Sequence, residues 1–391
     1  MRTSSFSLLA AAITLAACAD ATSPSRLVDA ASLDGSSSAN ATVVGGVFTQ
    51  TNDAGPGGNA VVAYARHADG SLSYLGSYAT GGVGSAPTGL GSQGGLVLSP
   101  NERFLFVVNA GSNQISSFSV AKNGLTLLTT VASGGTRPVS VAATNHILYA
   151  INNTSHSLAG FRIEPDGRLT HVPEWTRPLN ARTGNAAQVQ FTRDGRFLVV
   201  VERGIAARGL TPGFDVFPVN LDGSLGAAVA STSMAAAPFG FDITKRGHLV
   251  VSEPGGADNS ASSYDIESTG ALRLVSSRIP ANQGAPCWVV ITKDGQFAYT
   301  ANVGSGSISG YAVAEDGKLA LLNSDGRTGV TGDGTTPLDM DVSRDSRFLY
   351  VIEGGTGNVM GFAIGKDGSL APIADAPPPA SGRGRGGLAA Y

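Results

Sequence analysis

The stretch WVVITKDGQFAYTANVGSGSISGYAV, residues 288–313, decides the fold because its pattern recurs along the chain. Clear copies are GLVLSPNERFLFVVNAGSNQISSFSV from Gly95 and DMDVSRDSRFLYVIEGGTGNVMGFAI from Asp339. Weaker copies begin at Ser140, Gln188 and Gly240. The copies follow one another at intervals of about fifty residues. A fixed period of this length, built from short apolar strands and Gly/Asp turns, is typical of a ring or array of small sheets.

Each copy predicts four strands. Strand 1 is an apolar segment, strand 2 alternates with period two and is rich in β-branched and aromatic residues, and strand 3 carries an aromatic residue at a fixed place. Turns such as Asp194-Gly195 and Asp316-Gly317 separate strand 1 from strand 2 and strand 3 from strand 4, because Gly tolerates positive φ. Strand 1 is predicted at residues 95–99, 140–144, 188–192, 240–244, 288–292 and 339–343.

The two ends of the repeat region complete each other. Residues 42–51 have the strand 2 pattern, followed by strands 3 and 4 at residues 59–66 and 72–78, so the first repeat lacks its strand 1. Residues 387–391, Gly-Leu-Ala-Ala-Tyr, match a strand 1. We therefore expect an all-β, seven-bladed β-propeller of four-stranded blades, closed by the C-terminal strand joining the first blade. An open solenoid is the alternative, although it would gain nothing from split terminal repeats.

The first residues have the pattern of a targeting signal. Arg2 gives a positive start, residues 6–17 form an apolar run, and residues 15–18 read Leu-Ala-Ala-Cys, which resembles the lipobox of bacterial lipoproteins. An ordinary secretory cleavage near the same place is the alternative. Either interpretation predicts a bacterial cell-envelope location, lipid-anchored or periplasmic or secreted. The predicted divisions are a signal peptide over residues 1–18 with Cys18 lipidated, a flexible linker over residues 19–41 and the propeller over residues 42–391.

The composition excludes several classes of function. The formal net charge is −3, so no bulk attraction to nucleic acid or to an anionic membrane is expected. The five histidines lack metal-ligand spacing, and the Gly-rich residues 81–95 lack the context of a phosphate loop. Cys287 has no His near it in sequence and is expected to pack as a small hydrophobe rather than to act as a nucleophile. We expect no cofactor and no metal, and a monomer whose partner is a small anionic molecule.

Propeller geometry divides the loops between two faces. The 1–2 and 3–4 turns are short and uniform and form the short-turn face, whereas the variable 2–3 and 4–1 loops form the long-loop face, where binding is expected. The five Lys lie in or beside the short turns, whereas the long loops carry only Arg, which binds carboxylate or phosphate bidentately. The long-loop arginines therefore predict a mouth for an anionic ligand, or else they cap loops and face water. They are Arg137, Arg177, Arg182, Arg203, Arg208, Arg327, Arg383 and Arg385.

The residue that ends strand 2 is Asn or Glu in six blades: Asn109, Asn152, Glu202, Glu253, Asn302 and Glu353. Equivalent positions lie at similar height around the axis, so these side chains are expected to surround the mouth. They could act as general acid and base or gather a hard cation. Alternatively each caps its own 2–3 loop, which suits Asn better than the longer Glu. Strand 1 adds polar residues expected to face the channel or a blade cleft, namely Gln188, Gln190, Asp242, Asp339 and Asp341.

The segments KDGQFAYTANVGSGSISGYAV, RDGRFLVVVE and RDSRFLYVIEGGTGNVMGFAI resemble repeats of the lactonase family of seven-bladed propellers, which includes 6-phosphogluconolactonase and carboxy-muconate cyclase-like proteins. The resemblance covers residues 42–391. It implies hydrolysis of a sugar or organic-acid lactone by a cluster of His, Arg and acidic groups at the channel mouth. The chain departs from the family pattern with Gln188 and Gln190 in place of a strand 1 His. It also departs where Asn is usual at the end of strand 2, with Glu202, Glu253 and Glu353.

A lactone hydrolase is therefore the function that the sequence favours, with a carboxylate activating water and Arg stabilising the oxyanion. A non-catalytic envelope propeller that binds an anionic ligand or a protein partner is the alternative. The expected catalytic residues are Glu202, Glu253, Glu353, Arg203 and Arg208. The expected substrate-binding residues are Arg137, Asn109, Asn152, Gln188, Gln190, Asp242, Trp288, Asn302, Asp339, Arg383 and Arg385.

Overall fold

Short strands rich in β-branched and aromatic residues form seven separate antiparallel sheets, the blades of a propeller. The computed structural model describes residues 42–86, 88–255, 259–376 and 386–391, with the backbone alone of Ala374. The predicted signal peptide with Cys18, the linker, Arg383 and Arg385 lie outside the described residues. Within the described part of the chain, no helix is long and apolar enough to cross a membrane.

The strands follow the predicted order. Blade 1 contains β1 (Val43–Gln50), β2 (Ala60–His67) and β3 (Leu72–Ala79), and blade 2 contains β4 (Leu96–Leu98), β5 (Phe104–Asn109), β6 (Gln114–Ala121) and β7 (Gly124–Ala132). Blade 3 contains β8 (Pro138–Ala143), β9 (Ile147–Asn152), β10 (Ser157–Ile163) and β11 (Leu169–Pro178). Blade 4 contains β12 (Ala186–Phe191), β13 (Phe197–Glu202), β14 (Gly213–Pro218) and β15 (Val229–Thr232), with a 3₁₀ helix at Ala206–Arg208.

The remaining three blades repeat the same arrangement. Blade 5 contains β16 (Phe241–Ile243), β17 (His248–Glu253), β18 (Ser260–Ile266) and β19 (Leu272–Pro280). Blade 6 contains β20 (Pro286–Ile291), β21 (Phe297–Asn302), β22 (Ser307–Val313), β23 (Leu319–Leu321) and the short β24 (Gly329–Val330), which also pairs with β22. Blade 7 contains β25 (Pro337–Val342), β26 (Phe348–Glu353), β27 (Val359–Ile364) and β28 (Leu370–Ala376), and β29 (Gly386–Ala390) completes blade 1.

Ring closure follows the prediction. The C-terminal strand β29 pairs antiparallel with β1, with Phe48 opposite Ala389. The Tyr391 ring stacks on Phe48 with centroids 6.0 Å apart, and its carbonyl oxygen accepts a hydrogen bond from Arg66 Nε at 2.8 Å. The ends of the described chain therefore hold one blade together, and the solenoid alternative is wrong.

The inner strands begin slightly earlier than predicted because several start with a bulge. In blades 3, 4, 6 and 7 the strand register shifts within the first residues of the inner strand. The residue just before each of these strands has positive φ: Arg137, Asn185, Ala285 and Thr336. Arg137 and Asn185 therefore occupy equivalent positions in adjacent blades, where the inner strands start at the long-loop face.

Neighbouring blades interlock through the glycine of the 3–4 turn. All seven of these glycines have positive φ and lie so close to a ring side chain of the preceding blade that an added Cβ would contact it. The pairs are Gly70 with Phe348, Gly124 with Tyr78, Gly167 with Phe104, Gly223 with Trp175, Gly270 with Phe197, Gly317 with His248 and Gly368 with Phe297. These turns therefore need Gly both for backbone conformation and for space.

Candidate functional site

A cavity of about 860 Å³ lies on the propeller axis, between the inner strands. It opens at the short-turn face, because its rim contains 1–2 turn residues such as Glu102, Asp194, Lys245, Lys293 and Arg344. The sequence analysis treated these turns as scaffold and expected the mouth at the long-loop face. The inner strands converge around the axis and leave this space between them, whatever the lengths of the loops at their ends.

Gln93 forms the floor of this cavity. Its side-chain Nε2 donates to Val289 O at 2.6 Å, its Oε1 accepts from Val289 N at 3.0 Å, and its backbone N donates to Ala187 O at 3.0 Å. Gln93 thereby bridges the inner strands of blades 4 and 6 across the channel. The neighbouring Ser92 accepts a hydrogen bond from Trp288 Nε1 at 3.1 Å. Trp288, expected to bind substrate, therefore holds this crossing segment in place.

The polar residues of β12 and β16 face the cavity, as predicted, and are joined in a network. Gln190 Nε2 donates to Asp242 Oδ1 at 2.7 Å, and Gln188 uses both ends of its amide on the backbone of Phe241. Asp242 also accepts from Ile291 N and pairs with Arg193 at 3.3 Å. These hydrogen bonds tie blades 4, 5 and 6 together. Most of the hydrogen-bonding groups of Gln188 and Asp242 are therefore already paired within the protein.

Asp339 is the exception in the cavity wall. It is 2% exposed, and Met340 N donates to its Oδ1 at 3.0 Å. The amides of Gly94 and Leu388 lie near enough to favour its charged form, yet no hydrogen bond from a described residue reaches Oδ2. Burial raises the pKa of Asp339 well above its usual value. Burial thus favours the neutral form of this carboxyl, and the nearby backbone amides oppose that effect.

A second cluster lies at the long-loop end of the inner strands, where Arg137 and Arg203 approach each other. Arg203 Nη2 donates to Asn185 Oδ1 at 3.0 Å, and its guanidinium lies over the Phe239 ring at 5.3 Å. Arg203 Nε is buried and has no hydrogen-bond partner among the described residues. Arg137 Nη2 donates to Gly89 O at 3.2 Å. We call Arg137, Asn185 and Arg203 the arginine cradle.

The arginine cradle is electropositive, and no described carboxylate serves as its counter-ion. Neither Arg137 nor Arg203 forms a salt bridge with a described carboxylate, and their partners are neutral oxygens and an aromatic face. Burial, together with the positive charge of Arg137, lowers the pKa of Arg203 to about 10. Two partly desolvated cations held near each other favour an anion between them. Arg137 and Arg203 are thus two of the predicted long-loop arginines that the structure places near each other.

Beside the arginine cradle, Glu202 pairs with a histidine of the neighbouring blade. His156 Nε2 lies 2.7 Å from Glu202 Oε2, and Thr183 Oγ1 donates to Glu202 Oε1 at 2.6 Å. Glu202 is buried, whereas the His156 side chain is 28% exposed. The hydrogen bond to Glu202 raises the pKa of His156. Since a carboxylate only accepts, Nε2 carries the proton and the lone pair lies on Nδ1.

The other residues expected at one mouth are not brought together. Glu253 accepts from Ser260 Oγ at 2.6 Å and Glu353 from Thr356 Oγ1 at 2.8 Å, so each carboxylate bonds within its own strand 2–strand 3 hairpin. The expectation that Glu reaches past its loop is wrong for these two and holds only for Glu202. The amides of Asn109, Asn152 and Asn302 are likewise buried within or beside their own blades.

Two further expectations change for the same reason. Because the ring of Asn and Glu does not converge, the proposed cation site loses its ligands. No group of three or more metal-ligating His, Cys, Asp or Glu occurs in the described ranges. Arg208 lies in the exposed 3₁₀ helix after β13, away from the cavity lining. Cys287 is fully buried, as expected of a packed residue.

Comparison with known proteins assigns the fold to a family. The family described as "Lactonase, 7-bladed beta-propeller" matches residues 57–178 and 250–384. The chain belongs to the lactonase family. It is 25% identical over 277 residues to a 6-phosphogluconolactonase from Pectobacterium carotovorum, which covers 68% of this chain and 79% of the relative. A Yersinia pestis 6-phosphogluconolactonase is 24% identical over 203 residues, and the match spans little more than half of its length, 58%.

Solved structures of this shape support the same architecture. A putative 6-phosphogluconolactonase from Bacteroides fragilis superposes with a TM-score of 0.70 at 15% identity, covering 89% of this chain and 98% of the other. A periplasmic gluconolactonase from Pseudomonas aeruginosa gives a TM-score of 0.67 at 18% identity, covering 88% and 98%. At these identities the likeness concerns the fold alone.

Several residues of this lactonase-family chain escaped the sequence analysis. His156 lacks metal-ligand spacing to the other histidines, yet it stands in a 2–3 loop, and six of these loops begin at the Asn or Glu position. Asn185 was not predicted as a site residue, because its equivalence to Arg137 follows only from the bulges at the starts of β8 and β12. Gln93 sits in a Gly-rich segment that was tested only as a phosphate loop. The signal in the sequence was one glutamine among glycines, because its side-chain amide can hydrogen-bond to the backbone of a neighbouring strand.

Proposed function

We propose that the protein hydrolyses an anionic lactone at the arginine cradle on the long-loop face. The observation that carries this proposal is the desolvated guanidinium of Arg203 beside Arg137: among the described residues, its Nε has no hydrogen-bond partner and no carboxylate pairs with it. A carboxylate or phosphate group is the ligand that best satisfies such a pair. Membership of the lactonase family and the named activity of the 6-phosphogluconolactonase relatives support a lactone as the substrate class.

The His156–Glu202 pair supplies the proton chemistry in this proposal. Nδ1 of His156 takes a proton from water, and the water oxygen attacks the lactone carbonyl carbon. The carbonyl oxygen becomes negatively charged and is stabilised by a guanidinium. The ring C–O bond then breaks, and the proton passes from His156 to the departing oxygen, giving a hydroxy acid. Glu202 orients the imidazole and stabilises its charged form, as carboxylates do beside catalytic histidines.

The contacts around blades 3 and 4 support placing these groups in one site. Asn153 N donates to Arg137 O at 2.9 Å, so the loop that carries His156 is anchored on the residue that carries one guanidinium. Glu202 and Arg203 are adjacent in sequence at the end of β13. A single corner of the long-loop face thus holds an orienting carboxylate, an imidazole and two arginines.

The test is turnover of 6-phosphogluconolactone and of uncharged gluconolactone by the purified protein. We expect the charged lactone to be preferred, and Arg203→Gln to lower kcat/KM for it about 10- to 100-fold, the usual cost of a lost charged hydrogen bond. His156→Ala should lower kcat. The matched control is Arg208→Gln, which removes an exposed arginine of the same loop and should leave the rate unchanged.

Binding without chemistry is the second candidate, because the same arginine cradle would hold an anion whether or not a reaction follows. In that case neither lactone is turned over, and gluconate 6-phosphate still binds with an affinity that Arg203→Gln reduces. Absence of both turnover and anion binding in a folded sample would refute the proposed function.

A further inference from the structure

We propose that Asp215 is a positioning residue for the His156–Glu202 pair: it anchors the loop between blades 3 and 4 and places a second carboxylate beside Glu202. The kinetic consequences of this inference rest on the proposed function, whereas its effect on His156 is measurable without any reaction. Asp215 lies in the middle of β14 and is 1% exposed. Its strand neighbours Phe214 and Val216 are buried apolar residues, so a carboxylate at this place needs specific polar partners.

The strand register shows which part of blade 4 the Asp215 side chain faces. Asp215 occupies on β14 the position that serines occupy on β6 and β22. In those two blades the serine hydroxyl accepts a hydrogen bond from the Asn that ends strand 2. The contacts are Asn109 Nδ2 to Ser116 Oγ at 2.8 Å and Asn302 Nδ2 to Ser309 Oγ at 2.9 Å. The corresponding residues of blade 4 are Glu202 and Asp215, so two buried carboxylates are neighbours where the other two blades have a neutral pair.

The loop between blades 3 and 4 supplies the second contact of Asp215. Asn180 N donates to Asp215 Oδ2 at 3.0 Å. One residue earlier, Leu179 N donates to His156 O at 3.1 Å, and three residues later Thr183 N donates to Asn180 O at 3.1 Å. The side chain of Thr183 also donates to the carboxylate that pairs with His156. Asp215 therefore holds the short segment that contacts the imidazole residue on one side and its carboxylate on the other.

The charges of this group favour a proton on His156. Two neighbouring buried carboxylates are stabilised by a positive charge, and His156 Nε2 lies 2.7 Å from Glu202 Oε2. The hydrogen bond to Glu202 is the main cause that raises the pKa of His156; burial opposes it, and the charge of Asp215 adds to it. Burial raises the pKa of Asp215; the Asn180 amide opposes this, Glu202 adds to it and His156 opposes it. The three groups thus titrate as one coupled unit, and removal of the Asp215 charge should weaken proton binding by His156.

Simple interlocking of blades is the competing explanation for Asp215. At the same strand position in blade 6, Ser309 Oγ donates to Ala281 O at 3.2 Å, in the loop that precedes that blade. A neutral hydroxyl is therefore sufficient to tie a strand to the preceding loop. Asp215 differs from Ser309 in the charge that it brings next to His156. The readout that separates the two explanations is consequently the titration of His156, and not the stability of the fold.

The test is NMR titration of the His156 ring protons in Asp215→Asn. The amide oxygen of Asn still accepts from Asn180 N, whereas the charge is lost. We expect the pKa of His156 to fall by about 0.5 or more. Ser309→Ala changes the same strand position in blade 6 and should leave the His156 titration unchanged. The inference is overturned if the pKa of His156 is the same in Asp215→Asn as in the wild type, or if it falls equally in Ser309→Ala.

Lactone turnover provides a second readout. Asp215→Ser introduces the residue found at this position in three other blades, but the serine side chain is too short to reach Asn180 N and carries no charge. It should lower kcat about tenfold and leave KM within about twofold, because the arginine cradle is untouched. Asp215→Asn should restore most of kcat, with the acid limb of its rate profile moved to lower pH in step with His156. Equal losses of kcat in the two variants, with an unmoved acid limb, would overturn the positioning role.

The two proposals fail in different ways. A folded wild-type protein that turns over neither lactone contradicts the proposed function, and the His156 titration in Asp215→Asn still decides the role of Asp215. The same titration in Asp215→Ser repeats the measurement in a second variant, so the result does not depend on the folding of one substituted chain. Turnover that is lost in Arg203→Gln and unaffected in both Asp215 variants supports the proposed function and overturns this inference.

Discussion

At the scale of single residues, the polar groups differ in whether their hydrogen bonds are complete. Asp242 and Asp341 are fully used in joining blades, whereas Asp339, Arg203 and Asp215 each keep a buried atom without a described partner. Burial of an unsatisfied polar atom costs about 1–3 kcal/mol. These residues therefore mark positions where folding stability has been given up, and the proposed function is built on one of them, Arg203.

The pKa of His156 should fall when Glu202 is replaced by Gln. The hydrogen bond to the Glu202 carboxylate is the main cause that raises this pKa, and a neutral amide stabilises the imidazolium less. NMR titration of the His156 ring protons measures this directly. If His156 is the general base, the acid limb of the rate profile moves to lower pH in Glu202→Gln, and the maximal rate falls. Glu353→Gln is the control, because Glu353 bonds to Thr356 and not to a histidine. If the pKa of His156 is the same in Glu202→Gln as in the wild type, the pairing of His156 with Glu202 is contradicted.

Asp339→Asn should change how stability depends on pH. The folded-state pKa of Asp339 lies well above that of an unfolded aspartate, so the wild-type protein loses stability as pH rises above about 4 toward the folded value. Asn cannot ionise, so its advantage over Asp should grow as pH rises from 4 to 8. Urea unfolding at pH 4, 6 and 8 measures this. A difference that stays constant across these pH values would contradict a protonated Asp339.

At the scale of elements, the repeat predicted most strands because each strand is decided locally. The β-branched and aromatic runs of β13 and β26 and turns such as Asp194-Gly195 are set by strand and turn preferences within a few residues of sequence. The bulges that start β8 and β12 depend on blade-to-blade contacts and were missed, so those strands began two residues early. The short β24 was also missed, because two residues give no periodicity.

Gly70→Ala should destabilise the junction of blades 7 and 1 by about 2–4 kcal/mol. Gly70 has φ of +89°, and an added Cβ would overlap the Phe348 ring, so backbone strain and overpacking add together. Its carbonyl oxygen also accepts from Tyr350 Oη at 2.8 Å. Thermal unfolding followed by circular dichroism should show a clear fall in Tm.

Gly195→Ala is the matched control for this substitution. Gly195 also has positive φ, of 72°, but no atom lies within 4 Å of the position of an added Cβ. Its cost should be limited to the backbone term, about 1 kcal/mol. Equal losses in the two variants would show that the ring contact contributes nothing.

At the scale of the whole molecule, the ring was predictable from the split terminal repeats, but the position of its sites was not. Sequence reasoning placed the Asn and Glu residues at one height and inferred that they meet. In the structure they lie between blades and bond locally, as Asn302 does with Ser307 and Ser309. The height of a residue follows from the repeat, whereas the direction of its side chain depends on neighbours from other blades.

Deleting residues 386–391 should abolish cooperative folding, because β29 supplies the inner strand of blade 1 and contacts the inner strands on both sides. The expected loss is comparable to the whole stability of a domain, about 5–15 kcal/mol. Circular dichroism and proteolysis of the truncated chain measure it. Tyr391→Ala keeps β29 and removes the stack on Phe48, so it should cost only about 1–3 kcal/mol. A truncated chain that still melts cooperatively near the wild-type Tm would contradict closure by β29.

Because β29 pairs with β1, the closed ring has no physical start that corresponds to the order of the blades along the sequence. Since β1 and β29 are neighbours in a sheet, no blade is first in any physical sense, and a circular permutant that joins these two strands and opens a loop elsewhere would present the same surfaces. Moving the break away from blade 1 would leave every blade built from one continuous run of chain. Which blade is split therefore depends on where the chain is opened, and not on the architecture of the propeller.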